Sequence, residues 1–316
     1  MVFLAVDQQH WWQLKPDYAF GWLVPIFVLY IVYERREKLR AILASTSESP
    51  LALWPRRLVC GVFGLMLGLG LALFLFGALY RAGSGPTQPG SLALAVGFTG
   101  VVLGIIYFNV PDGRVGEEIA GWRVIRTDAR LRAVALFWFP ATIWVLSAPL
   151  MSAVENTVSL FLLRKVVAVV FTIFSLLGYP LVQEGNILVL PNGSVGVADA
   201  CSGIRSLTAC LFAGTFLSAV FLDRLWKKIL LVGMALIFAF FTNLLRSLFL
   251  TGWAYAYGSE AIEGTLHDAT GFAVLGLTSI GLFCLLPFFH GANWRRWLGV
   301  GIESTAVVDK TPVTVS

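Results

Sequence analysis

ILLVGMALIFAFFTNLLRSLFL, residues 229–250, carries one ionisable side chain, Arg246, in a run long enough to cross a bilayer. The hydrocarbon core of a membrane takes about 20 apolar residues at a rise of about 1.5 Å each. Six more stretches read the same way: Tyr18–Tyr33, Leu58–Tyr80, Ser91–Val110, Ala133–Leu150, Ile204–Leu222 and Ala269–Phe289. The first is short and flanked by Trp11, Trp12 and Tyr18, which suit an interfacial belt. The 316 residues are 58% hydrophobic and 13% charged, with a mean hydropathy of +0.80, which excludes a soluble domain of this size. The expected fold is an all-α polytopic membrane protein with about seven to eight transmembrane helices. Residues 1–300 form one transmembrane domain, and the small, polar segment 301–316 reads as a disordered cytoplasmic tail. The apolar start Met1–Val6 is too short for a cleavable signal peptide and lacks a basic leader.

An eighth apolar stretch, Val158–Gly178, is interrupted by Arg164 and Lys165. If it does not cross, 17 of the 23 basic residues fall in one set of loops, from Arg35 and Arg36 through Arg130 and Arg132 to Lys227, Lys228 and Arg296. The positive-inside rule makes that set cytoplasmic, and the N-terminus, Met151–Cys201 and Thr251–Asp268 then face outward. A crossing by Val158–Gly178 would reverse the charge pattern on one side of it. The segment is therefore expected to be interfacial or re-entrant. The net charge of +5 is no nucleic-acid signal, because the basic residues fall in blocks between apolar runs.

Before the fifth span, Asn186–Leu190 and Ser194–Ala198 flank Pro191-Asn192-Gly193. Two β-prone runs around an Asn-Gly pair predict a hairpin, a small extracytoplasmic cap that delivers the chain to a helix start at Asp199-Ala200-Cys201, with Asp199 as its N-cap. Of the four cysteines, Cys60, Cys210 and Cys284 lie within apolar runs and read as inert small hydrophobes. Cys201 alone stands at a water-facing boundary, where the partial positive charge of a helix start favours thiolate.

Three groups then converge on one membrane face: Cys201 at the outer start of the fifth span, Arg246 near the outer end of the sixth, and His267 at the outer start of the seventh. A thiolate can attack a carbonyl, a cation can stabilise the oxyanion or the thiolate, and an imidazole can move protons to a leaving amine. Each has a plainer reading. A cysteine near a helix start is often inert, and a loop histidine is often only solvated. Arg246 lies about 6 Å from the helix end and can snorkel to headgroups. The coincidence of three partners on successive spans favours chemistry. Arg205, four residues after Cys201 and on the same helical face, can also stabilise the thiolate or bind an acidic substrate group.

Ala200-Cys201-Ser202-Gly203-Ile204-Arg205-Ser206-Leu207, then Asn243-Leu244-Leu245-Arg246, then His267 with Gly271 resemble the exosortase/archaeosortase family of multi-span cysteine transpeptidases. Gly185–Ala200 looks like the family's lead-in to the cysteine. Asp17-Tyr18-Ala19-Phe20-Gly21-Trp22-Leu23-Val24-Pro25 resembles the family's Tyr-Ser-His-Gly-x-Leu-Val-Pro stretch, with Ala19 and Phe20 in place of Ser and His. The resemblance implies Cys201, Arg246 and His267 as catalytic residues, with Arg205, Ser202 and Asn243 at the substrate. It implies a sorting enzyme of the prokaryotic cytoplasmic membrane with an outward-facing active site. Its substrates would be exported proteins whose C-terminal tail holds a short motif (Pro-Glu-Pro in the best-known class), a membrane helix and a basic cluster. A surface lipid or glycan precursor, or water, would accept the acyl group. No metal or other cofactor is implied, since the outward face has no carboxylate/His cluster and the chain has no nucleotide-binding loop. The rival readings are a plain membrane cysteine protease, a transporter whose arginines bind an anion, and a surface-polysaccharide assembly protein without peptidase chemistry.

Overall fold

The structure, a computed structural model, describes residues 1–46, 53–115, 127–191, 193–196, 204–222, 224–262 and 264–290. In chain order the elements are α1 (Val2–Leu14), a 3-10 helix η1 (Pro16–Leu23), α2 (Val24–Ala44), α3 (Leu53–Ser84), α4 (Gln88–Asn109), α5 (Ala129–Ser147) and α6 (Ser152–Leu176). They continue with strands β1 (Val182–Glu184), β2 (Ile187–Leu190) and β3 (Gly193–Gly196), then α7 (Ile204–Phe221), α8 (Leu225–Tyr257), η2 (Ser259–Ile262) and α9 (Thr265–His290). Among the described residues, seven helical segments are long and apolar enough to cross a membrane, as an all-α polytopic membrane protein requires. Six of them correspond to expected spans: four contain theirs whole, while Gln88–Asn109 stops just short of Val110 and Ala129–Ser147 short of Leu150; the seventh is Ser152–Leu176, the ambiguous stretch. The expected fifth span is the short one: the apolar part of α7 covers Ser206–Phe221.

The outer surface is apolar, with Leu65, Phe76, Leu79, Phe272 and Phe288 turned outward, while Gln8, Ser147, Thr242, Asn243 and Thr278 are buried. Hydrocarbon supplies no hydrogen bonds, so polar side chains belong between helices. The tightest pair is α3 with α4, where glycines let the backbones touch. A Cβ on Gly97 would stand 2.4 Å from the Phe74 nitrogen, and one on Gly70 would stand 2.9 Å from the Val101 nitrogen. At the start of α4, the Thr87 hydroxyl accepts from the Gly90 N–H, and Pro89 occupies a position that needs no donor.

Helix contacts define two ends of the bundle. At the upper end the Thr208 hydroxyl of α7 donates to the Asp17 carbonyl, the Leu150 N–H donates to the Tyr18 hydroxyl, and α1 packs on the ends of α4 and α5. Trp11 Nε1 donates to Ser91 Oγ at 2.8 Å and Trp12 Nε1 to the Ser147 carbonyl at 3.2 Å. These two indoles are buried, which corrects the interfacial-belt reading: aromatic rings with a polar edge suit a helix junction as well as a headgroup layer.

At the lower end one side chain joins three helices. Pro140, inside α5, has no N–H, so the Leu136 carbonyl four residues earlier loses its helical partner. α7 stops at Phe221, which leaves the Ala219 carbonyl without one as well. The buried Arg35 of α2 donates from Nη1 to the Leu136 carbonyl and from Nη2 to the Ala219 carbonyl at 2.8 Å. The Lys227 ammonium likewise donates to the Phe289 carbonyl near the end of α9.

Both ends of α6 lie at the upper end of the bundle. Its first turn is held by the Ser152 N–H on Gln88, at the start of α4, and by the Lys15–Glu155 ion pair at 2.6 Å. Its last turns meet the end of α8, with a Phe174 ring carbon 3.8 Å from where a Gly252 Cβ would stand, and with Tyr179 5.1 Å from Tyr255. Leu163, Val166, Val167, Val170 and Phe174 form its buried stripe, and Arg164 and Lys165 stand exposed on the other face. Such charges at mid-bilayer cost about 2.5–3.5 kcal/mol each on insertion scales, a penalty avoided at headgroup level.

The α6 stripe packs on a three-stranded antiparallel sheet of order β1-β2-β3 and on Leu250 and Ala254 of α8. The expected hairpin is present as β2 and β3, with Leu190 opposite Gly193. β1 is an additional strand, joined through Gly185 at φ +63°, a conformation suited to glycine. Asp199, the expected N-cap, lies outside the described residues.

Two expectations follow. Ser152→Cys and Leu177→Cys, each in a background without native cysteines, should both react with a membrane-impermeant maleimide from one side of intact cells; opposite sides would mean that α6 crosses. Arg35→Ala should lower the thermal unfolding temperature in detergent, because each orphaned buried carbonyl costs about 1–3 kcal/mol. Adding Pro140→Ala should recover part of that loss by restoring an N–H to Leu136, and equal losses with and without it would break the assignment.

Candidate active site

α8 has 33 residues and a length of about 50 Å, well beyond the roughly 30 Å hydrocarbon core. Its register against α7 is fixed where Gly214 meets Ala235: a Cβ on Gly214 would stand 2.5 Å from the Ala235 Cβ. Continued antiparallel, that register sets Asn243 level with Ser206 and Arg246 level with the start of α7. About 18 Å of α8, Leu245 to Tyr257, then projects above α7 and supports the sheet and α6. Thr251–Tyr257, expected within a loop, is the last part of this helix.

α9 packs antiparallel on α8. The Thr242 and Thr278 hydroxyls meet at 3.0 Å between them, and a Cβ on Gly281 would stand 3.3 Å from the Phe238 ring. One helical turn above Thr242, Arg246 meets the first turn of α9. Its Nη2 donates to the His267 carbonyl at 3.0 Å, and its Nε donates to Thr270 Oγ1 at 3.2 Å. Thr270 Oγ1 donates in turn to the same His267 carbonyl at 2.8 Å. Three groups thus close a hydrogen-bonded triangle that fixes the guanidinium plane. A Cβ on Gly271 would lie 3.7 Å from Arg246 Nη2, so this glycine keeps the flank of the guanidinium clear of a larger side chain. Among the described residues Arg246 has no carboxylate partner, and its charge is held by neutral acceptors.

Of the residues singled out from sequence, Arg246 and His267 are brought into direct contact, through the His267 backbone. His267 is half-buried and sits in the first turn of α9, not in a loop. Asn243 is buried one turn below Arg246, where its carbonyl accepts from the Ser247 hydroxyl at 3.0 Å. Arg205 lies in the first turn of α7, and its side chain falls outside the described residues, as do Cys201 and Ser202. Cys210 is buried, Cys60 is half-buried and Cys284 is exposed, and all three lie on spans away from the upper end. Among the described residues no group of three or more His, Cys, Asp or Glu side chains converges as a metal site would. Thr270 was not legible as a site residue, since a threonine in the first turn of a helix carries no pattern of its own.

The profile of the transmembrane exosortases matches residues 11–284, most of the chain. The chain belongs to the transmembrane exosortase family. At family level this makes it a membrane protein-sorting transpeptidase, integral to the membrane and acting on exported proteins. No curated protein and no solved structure matches it. In this exosortase the matched segment runs from Trp11 into α9 and includes the triangle at Arg246.

Thr270→Val removes the acceptor for Nε and one donor to the His267 carbonyl while leaving the helix intact. It should lower substrate processing about tenfold, in line with a lost hydrogen bond to a charged group of about 1.5 kcal/mol. Thr270→Ser should restore most of the rate. Equal processing by the Val and Ser variants would show that the triangle has no part in the reaction.

Proposed function

We propose that this exosortase is a cysteine transpeptidase that cuts a C-terminal sorting tail from exported proteins and passes them to a surface acceptor. Cys201 is the nucleophile, Arg246 stabilises negative charge and His267 moves the proton. The observation that carries the reading is the fixed Arg246–His267 contact, level with the helix that begins three residues after Cys201. Three residues of chain reach at most about 11 Å, which bounds how far Cys201 can lie from the start of α7 and supports the reading.

In the first half-reaction the Cys201 thiolate adds to the scissile carbonyl carbon, and the oxygen takes up the negative charge. The guanidinium of Arg246 stabilises that oxyanion. Protonated His267 gives its proton to the leaving nitrogen, the C–N bond breaks, and the substrate is held as a thioester. The tail departs with its membrane helix and basic cluster. In the second half-reaction neutral His267 takes a proton from an acceptor nucleophile that attacks the thioester, and the Cys201 thiolate leaves. Arg205 and Ser202, next to the nucleophile, and Asn243, below Arg246, contribute to the substrate site. Among the described residues most basic side chains belong to elements at the opposite end of the bundle, and the positive-inside rule then turns this site outward.

The test co-expresses the chain with an exported reporter bearing a Pro-Glu-Pro motif, a membrane helix and a basic cluster. Wild type should shorten the reporter, and Cys201→Ser should leave it uncut. Arg246→Ala should reduce processing about 100- to 1000-fold, the range for removing an oxyanion donor. Full processing by Cys201→Ser would overturn the peptidase reading in favour of a transporter or a polysaccharide-assembly role. Loss at Arg205→Ala with activity retained at Arg246→Ala would transfer the charge-stabilising role to Arg205.

A further inference from the structure

Above Arg246, α8 carries a ladder of three aromatic rings. Phe249, Trp253 and Tyr257 follow one another at four-residue intervals, with ring centroids 5.7 Å and 4.7 Å apart. At about 100° and about 1.5 Å per residue, all three fall within about 60° of Arg246 and stand about 4.5, 10.5 and 16.5 Å above it. They are 46%, 37% and 67% exposed. The neighbouring face of α8 is already taken, because Leu250 and Ala254 are buried with the α6 stripe, the sheet and Ile262 of η2. α9 begins level with Arg246 and runs downward, so the ladder stays open among the described residues.

Rings of this kind also form headgroup belts. The level of the upper two argues against that role. Arg246 meets the first turn of α9, whose polar His267 and Asp268 mark the outer edge of the hydrocarbon. Headgroups extend only about 5–8 Å beyond that edge, and Trp253 and Tyr257 stand farther out. We propose that Phe249, Trp253 and Tyr257 bind the extended segment of the exported substrate that runs outward from the scissile bond. This rests on the transpeptidase reading: the tail's helix then lies in the bilayer below Arg246 and the exported domain above it. The chain between them passes along the projecting turns of α8. The spacing fits such a chain. Rings four residues apart on a helix rise about 6 Å, and alternate side chains of an extended strand lie about 6.5 Å apart on one face. The ladder therefore takes flat, apolar side chains at every second position of the segment. Aromatic surfaces are a recurrent platform for extended, proline-containing peptides.

The test measures binding alone, on the purified full chain in detergent, with Cys201→Ser so that the reporter stays uncut. The exported reporter with its Pro-Glu-Pro motif, whose prolines hold alternate positions, is compared with an Ala-Glu-Ala version by fluorescence anisotropy. Trp253→Ala with Tyr257→Ala should weaken binding of the Pro-Glu-Pro reporter about tenfold and change that of the Ala-Glu-Ala reporter less than about twofold. Trp253→Phe with Tyr257→Phe keeps the rings and should preserve the preference for Pro-Glu-Pro. Tyr257→Ala alone, at the last residue of α8, should cost the Pro-Glu-Pro reporter about threefold, and keeps the test valid if the alanine pair does not fold. An equal loss for both reporters would assign the rings to the headgroup layer and overturn the proposal, as would no loss for either. Cleavage by wild type without this coupling would remove the ladder and leave the transpeptidase reading standing. Coupling without cleavage would do the reverse.

Discussion

A guanidinium among apolar helices must take its hydrogen bonds from the protein, because hydrocarbon offers none. Arg35 satisfies this with carbonyls that two other helices have left over, one through Pro140 and one through the end of α7. The same contact answers the needs of both sides: an expensive buried charge and two expensive buried acceptors. It locks α2, α5 and α7 together at the lower end. Since α7 carries the chain on from Cys201, and pairs with α8 in a register set by Gly214 and Ala235, this lock also sets the height of α8.

From that register the upper end follows. α8 rises past the start of α7, and its projecting turns provide a wall for the sheet and for α6. Arg246 stands where this wall begins, tied by two donors to the first turn of α9. Holding an arginine with neutral acceptors keeps its positive charge available to a developing anion. A carboxylate partner would have reduced that field. The arrangement suits charge stabilisation more than headgroup anchoring, because a snorkelling side chain has no use for a hydrogen-bonded triangle that fixes its plane.

Much of this was legible in the sequence, since span length and hydropathy are set by the bilayer itself. The hairpin at Ile187–Gly196 was readable from its turn residues. β1 was not: Val182-Gln183-Glu184 is too short to show alternation. Composition alone left α6 open, because an apolar helix of 25 residues suits either orientation and only its end contacts decide. Trp11 and Trp12 were misassigned because an indole at a helix junction and one at the headgroup layer leave the same trace in a sequence. Thr251–Tyr257 read as loop because its hydropathy falls, yet helix needs no hydropathy where it leaves the membrane to support a cap. At the site, Arg246 and His267 were visible as unusual residues in an apolar chain. Thr270, which completes their contact, has no such contrast.

The central claim is that the thiol of Cys201 and the side chain of His267 share one pocket beside Arg246. A cross-link measures this most directly. In a chain with Cys60, Cys210 and Cys284 replaced by alanine, His267→Cys should form a disulfide with Cys201 under mild oxidation, since bridging requires Cβ atoms within about 4.5 Å. The bridged form should appear as a faster-migrating band that a reductant removes. Two thiols that both react with maleimide yet never bridge would contradict a shared pocket.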